Sequence, residues 1–238
     1  TAGVRWSYDD LEFDDNNPGG YREDIDDDQV SGNLSLAYNL TDDTMLWAKA
    51  ASGFRGPSIQ GRDVRFGTPP SLADSETITS YEVGVKSQFW NDSARISAAA
   101  FYYEVDDIQL TAVGGAGNFT SLLNADEGTG AGVDIDFEMA VNEYVSFTLG
   151  YAYVDTEIND NSLAVDPCFT CTVTDPLDAN GRALVDGNPL IHAPETTASF
   201  TATFRYPMGG GEIFAFTDWA YQGDTNFVLY ESKEFNSE

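Results

Sequence analysis

Period two, sustained for about ten residues at a time, constrains this chain more than any other feature. From Val30 the even positions read Val30, Gly32, Leu34, Leu36, Tyr38 and Leu40, against Ser31, Asn33, Ser35, Ala37 and Asn39. From Val133, an apolar face of Val133, Ile135, Phe137, Met139 and Val141 alternates with Asp134, Asp136, Glu138 and Ala140. Val145, Phe147, Leu149, Tyr151 and Tyr153 repeat the pattern, as do Ala198, Phe200, Ala202, Phe204 and Tyr206. Strand side chains point to opposite faces in turn, so each stretch predicts a strand with one apolar and one polar face. Less regular stretches at roughly 2–13, 44–53, 77–90, 94–108 and 212–222 bring the expected count to about nine. Residues 97–103 are helix-prone by composition, but their neighbours decide for strand, and the chain is read as all-β.

The connections narrow the architecture further. Short ones, at Thr41-Asp42-Asp43, Asn91-Asp92-Ser93, Asn142-Glu143 and Met208-Gly209-Gly210-Gly211, have hairpin-turn composition. Long ones span roughly 14–29, 54–76, 109–128 and 156–193 and alternate with the short ones. An antiparallel up-and-down meander follows, with short turns at one end and long loops at the other. Transmembrane barrels have this form, with short periplasmic turns and long extracellular loops. No stretch approaches the ~20 apolar residues of a membrane helix, whereas a barrel strand needs only ~9–11. Aromatic residues add two candidate interface belts. Tyr38, Trp47, Phe89, Trp90, Tyr144 and Tyr206 lie near short turns, and Trp6, Tyr8, Tyr102, Tyr103, Tyr151, Tyr153, Trp219 and Tyr221 towards long loops.

Charge excludes some functions. Forty acidic residues against 11 Lys and Arg leave a net charge of −29, which argues against nucleic acid as a partner. An aromatic content of 13% is too high for an acidic disordered tail. Cys168 and Cys171 form a CxxC with no second cysteine pair and one distant histidine, His192. A zinc site is disfavoured, and a loop disulfide in an oxidising compartment is the preferred reading. No nucleophile–base constellation or phosphate loop is visible, so neither an enzyme nor a cofactor is expected.

Several segments resemble the C-terminal half of TonB-dependent outer-membrane receptors. Ser52-Gly-Phe-Arg-Gly-Pro-Ser58 resembles their GFRAPS signature, with Gly56 replacing Ala. Ser80-Tyr-Glu-Val-Gly-Val-Lys86, preceded by Asp74-Ser-Glu76, is similar to a second. Ala98–Tyr103 with Asp106-Asp-Ile-Gln109, Leu123-Asn-Ala125 with Gly132–Asp136, Leu149–Val154 and Asn188–Glu195 follow in the family's order. The resemblance implies a barrel of about 22 strands, plugged by an N-terminal domain and energised through the TonB complex. Residues 1–238 are then expected to be a partial barrel domain, with the plug and the closing strands outside it. The expected location is the outer membrane of a Gram-negative bacterium, among lipid and lipopolysaccharide, with a ferric siderophore as the foremost ligand. A passive porin and a soluble β-rich binding or adhesion module are the alternatives.

Candidate site residues fall into two groups. Arg55, Arg62, Arg65 and Phe66 form a cation-rich loop cluster suited to an anionic ligand. Asp134, Asp136, Glu138 and Arg205 are expected to face the lumen, with Lys49, Lys86 and Arg95 as further charges there, because a charge facing lipid is costly. The run Asp24–Asp28 has oxygen ligands but not the spacing of a calcium loop. It is expected to be a solvated acidic loop, and no metal site is assigned.

Overall fold

A computed structural model of the chain describes residues 1–16, 20–115, 117 and 119–235. Parts of two expected loops, at 17–19 and at 116 and 118, lie outside the described residues. In chain order the strands are β1 (Ala2–Asp14), β2 (Arg22–Asn39), β3 (Thr44–Arg55), β4 (Ser58–Gln60), β5 (Ser71–Ala73), β6 (Glu76–Phe89) and β7 (Ala94–Gly114). They continue with β8 (Phe119–Ala140), β9 (Val145–Asn159), β10 (Ala164–Val165), β11 (Ala183–Leu184), β12 (Thr196–Met208) and β13 (Gly211–Gln222). A 3-10 turn, η1 (Gly61–Phe66), separates β4 from β5.

The nine long strands form one sheet in the order β1-β2-β3-β6-β7-β8-β9-β12-β13. Every neighbouring pair in it is antiparallel, as a meander requires. The sheet does not close, and β1 and β13 are its edges.

Register carries the alternation from strand to strand. Ile135 lies between Ala98 and Tyr151, and Phe137 between Ile96 and Leu149, so the apolar positions share one face. That face is open: Val4 is 84% exposed, Trp6 64% and Leu36 67%. A soluble sheet would bury such a stripe against a second layer. A membrane barrel presents it to lipid.

Two expected loops are largely strand. Strand β2 begins at Arg22, so Asp24–Asp28 is paired with β1, Asp26 opposite Asp10 and Asp24 opposite Glu12. Likewise β7 and β8 stay paired from Ala94–Met139 out to Gly114–Phe119. Backbone pairing outlasts the hydrophobic alternation because only the membrane imposes that contrast. Above it both faces meet water or loops, and the period-two signal fades while the ladder continues.

The aromatic belts also need correction. Tyr38, Trp90, Tyr206, Trp6, Tyr8 and Trp219 stand exposed on the apolar face or its rim. Trp47 and Tyr103 instead take the opposite face, in register with Gly84 and with Ser80 and Gly130 respectively. The Trp47 ring lies so close over Gly84 that a Cβ there would collide with it. Proximity to a turn does not decide the face of a strand residue; parity does.

Candidate functional site

Family-like segments that are far apart in sequence meet just above the apolar band. Gln109, on β7, is their centre and is 6% exposed. Its side-chain oxygen accepts from Arg55 Nε at 2.8 Å and Nη2 at 2.7 Å, and from Ser58 Oγ at 2.9 Å. Its side-chain nitrogen donates to the Gly56 and Asp74 carbonyls, each at 2.8 Å. The Gln109 backbone N–H donates to Glu76 Oε2 at 2.6 Å, and Glu76 also faces the Arg55 guanidinium at 3.5 Å. Asn124 completes the knot. It accepts from the Asp74 N–H at 2.8 Å and donates to the Asp74 and Asp107 carbonyls at 3.0 and 2.6 Å. Asp107 adopts φ 52° inside β7, a conformation that short acidic side chains tolerate better than most.

Arg55, expected beside a ligand, is thus committed to this knot. Its strand brings it there because the GFRGPS segment leaves β3 at this level and Pro57 donates no N–H to continue the ladder. Arg62, Arg65 and Phe66 stand together on η1, farther out along the same loop. Both arginines are exposed, and Phe66 is 50% exposed with its ring edge-on to Phe119 at 5.0 Å. Asp63 holds this tip from behind, accepting from the Ser71 N–H and hydroxyl at 2.9 and 2.7 Å. The Leu122 N–H in turn donates to Ser71 Oγ at 2.9 Å. Gly61 lies against the Phe13 ring of β1 with no room for a Cβ. The tip is a cationic and aromatic surface on a loop fixed at its root and its flank.

Asp134, Asp136 and Glu138 occupy the face opposite Val133, Ile135 and Phe137. Asp134 and Asp136 border a groove of about 450 Å³ with Gly150, Thr197, Ser199 and Gln222. Glu138 pairs with Arg95 at 3.4 Å, Lys49 with Glu82 at 3.0 Å, and Arg205 with Glu212 at 3.8 Å. Arg205 also lies 4.8 Å from the centre of the Phe214 ring. Such exposed pairs are individually weak, and their effect is a polar, hydrated wall.

A second outer structure was not legible in the sequence. Residues 160–193 and 223–235 fold together over the ends of β7, β8 and β9. They enclose Val105, Ile108, Leu110, Ile158, Val185, Leu229 and Tyr230. Cys168 and Cys171 are disulfide-bonded, and the Cys168 N–H donates to the Tyr230 hydroxyl at 3.0 Å. Asp175 Oδ2 accepts from Asn188 Nδ2 at 2.9 Å and from the Glu231 N–H at 2.7 Å. His192 packs edge-on against Phe227 at 5.5 Å, a structural placement. Glu104, Asp106 and Glu127, on the outer face beyond Tyr102, bring carboxylate oxygens within 4.8 Å of one another. Solvated acids cluster in this way without an ion.

A family model described as "TonB dependent receptor-like, beta-barrel" matches residues 1–236. The chain is 31% identical over 120 residues to the pesticin receptor of Yersinia pestis, covering 50% of this chain and 17% of that protein. The matched segment spans 17% of the length of the pesticin receptors. The ferric yersiniabactin uptake receptor FyuA from Yersinia pestis has a similar structure, with TM-score 0.68 and 21% identity over 96% of this chain and 32% of that one. BauA, the ferric preacinetobactin receptor from Acinetobacter baumannii, gives 0.64 and 13% over 96% and 30%. At these identities the structural likeness carries the fold alone.

Proposed function

Because this chain belongs to the TonB-dependent receptor-like β-barrel family, we propose that it builds part of the wall of a receptor that imports a ferric siderophore, driven by the TonB complex. Proteins of the family are transporters, not enzymes, and sit in the outer membrane of Gram-negative bacteria. The family match over residues 1–236 is the observation that carries the reading. The open apolar face supplies the surface for membrane lipid. Lipopolysaccharide meets the outer rim, where Tyr8 gives way to Asp10 and Tyr102 to Glu104 along their strands. The TonB complex engages the whole receptor through a part outside this chain.

Ligand choice rests on the η1 tip. In a chain of net charge −29, Arg62 and Arg65 make a local cationic spot beside Phe66. Positive charge at the mouth of an otherwise negative barrel raises the local concentration of an anionic complex. Phe66 offers a flat apolar surface to its ligand groups. Asp134, Asp136, Glu138 and Arg205 line the hydrated inner wall that a released ligand would pass.

The test is uptake of iron-labelled siderophores by receptor-deficient Gram-negative cells carrying the full-length protein. Saturable uptake that stops when the proton gradient is collapsed is expected. The double variant Arg62→Glu, Arg65→Glu is expected to weaken half-saturation at least about tenfold by reversing two contacts. Uptake that persists without the gradient would indicate a passive pore, and an unchanged double variant would remove the tip from the ligand site.

A further inference from the structure

We propose that Gln109 is a positioning residue for ligand capture: its carboxamide holds the 56–75 loop, and with it Arg62, Arg65 and Phe66, in one orientation over the barrel mouth. The inference rests on the reading of that tip as the ligand-contacting surface. It goes beyond that reading by assigning a role to a buried residue the ligand never touches.

The chemistry of the knot selects an amide. Three hydrogens point at the Gln109 oxygen, two from a guanidinium and one from a hydroxyl. Two backbone carbonyls, of Gly56 and Asp74, point at its nitrogen. A glutamate would satisfy the first set but leave both carbonyls facing a carboxylate. A leucine of similar size would leave both sets without a partner in a buried place. An asparagine is one methylene too short to reach across. Gly56 and Asp74 are the two ends of the loop, one just after β3 and the other just before β6. One side chain therefore clamps both ends of the excursion onto β7. Asn124 on β8 binds the same Asp74 peptide from the neighbouring strand.

Other contacts hold the loop at separate points: the Leu122 N–H on Ser71 Oγ and the Phe66 ring on Phe119 bind it to β8, and Gly61 lies against Phe13 of β1. The β4–β5 ladder pairs the two ends with each other, Ser58 opposite Ala73, and the Asp63–Ser71 contacts lie within the loop itself; the Gln109 carboxamide bonds both ends to β7. Without the carboxamide, the tip keeps its local fold and its flank contacts, and the root of the loop is released from β7. The loop is thus expected to open as a unit while the membrane strands stay paired, the behaviour of a local low-stability segment.

The test uses the full-length receptor in outer membranes, with Gln109→Glu, Gln109→Leu and, as a control on the same sheet away from the knot, Gln88→Glu. Trypsin cleavage after Arg62 and Arg65 reads loop opening without any ligand. Resistance of the barrel to unfolding in cold detergent reads the rest of the fold. Cleavage about tenfold faster in both Gln109 variants, with the barrel and Gln88→Glu as in wild type, is the expected result. Cleavage within twofold of wild type in both would overturn the proposal. With ferric yersiniabactin as probe, the variants should raise the half-saturation concentration and leave the maximal uptake rate unchanged. A lowered maximal rate at unchanged half-saturation would contradict a positioning role. If the wild type takes up no ferric siderophore, the ligand reading fails, while the cleavage rates still decide whether Gln109 clamps the loop.

Discussion

Strand β7 obeys two rules along its length. From Ile96 to Tyr102 its even positions turn to lipid, its odd positions turn to the polar side, and pairing with both neighbours is regular. From Tyr103 to Gly114 it supports a packed exterior, with Val105, Ile108, Leu110 and Ala112 buried together with Gln109. In the first half the membrane supplies the apolar surroundings, so no partner side chains are needed. In the second half water is present, and apolar groups must find cover within the chain. The largest fully buried side chains among the described residues, Tyr230, Ile158, Leu229 and Val185, accordingly lie in the outer region. Among the described residues, the conventional hydrophobic core lies where the bilayer does not act as one.

This contrast predicts opposite responses to the same substitution chemistry. Ile158→Ala, at 0% exposure in the outer cluster, should cost about 2–5 kcal/mol locally by leaving a cavity. Hydrogen exchange at the amides of Val185 and Leu229 would record the loss. Leu149→Ala on the lipid face should cost clearly less, since acyl chains fill the space. Equal costs would mean that the lipid face is packed against protein.

Charge reverses the order. Leu149→Arg, midway along the outward residues of β9, should destabilise the barrel by about 2–4 kcal/mol. Thr148→Arg, one residue away on the opposite face, should cost far less. Refolding midpoints of the full-length receptor in lipid vesicles measure both. A costly Thr148→Arg with a tolerated Leu149→Arg would invert the assignment of faces.

The smallest expected effect is confined to the outer region. The Asp178 carboxylate accepts from the Arg182 N–H at 2.9 Å, the Asn180 N–H at 2.7 Å and Arg182 Nε at 2.9 Å. The backbone donor of Arg182 foremost, then that of Asn180 and the guanidinium, hold its pKa down to about 2 against desolvation. A depressed carboxyl stabilises the folded turn above its unfolded pKa of about 3.9, and that contribution disappears as pH falls towards 2. Exchange of the Arg182 amide should therefore speed up relative to its intrinsic rate as the pH drops through this window. In Asp178→Asn the pH dependence should vanish. The membrane strands should show no such change.

Legibility in the sequence followed the same division. The Val133–Val141 and Val145–Tyr153 alternations identified strands, faces and turns because a bilayer repeats one demand every second residue. The Asp24–Asp28 run and the 109–128 segment read as loops, although the first is wholly and the second mostly strand, because paired backbone above the membrane needs no alternation. Arg62, Arg65 and Phe66 were visible as a group because they are close in sequence. Gln109 was visible only as a letter in a family-like segment, since its partners lie 33 to 54 residues away.

The sequence by itself determined the meander, its inward and outward faces and the family, since each rests on local periodicity or contiguous motifs. Tertiary structure alone decided that Arg55 joins a knot rather than the exposed tip, that Trp47 faces Gly84, and that two distant segments share a core around Tyr230. The physical reason is range. Strand parity is set by neighbours along the chain, whereas a buried carboxamide or ring takes its role from whatever atoms the sheet register brings within about 3–4 Å of it.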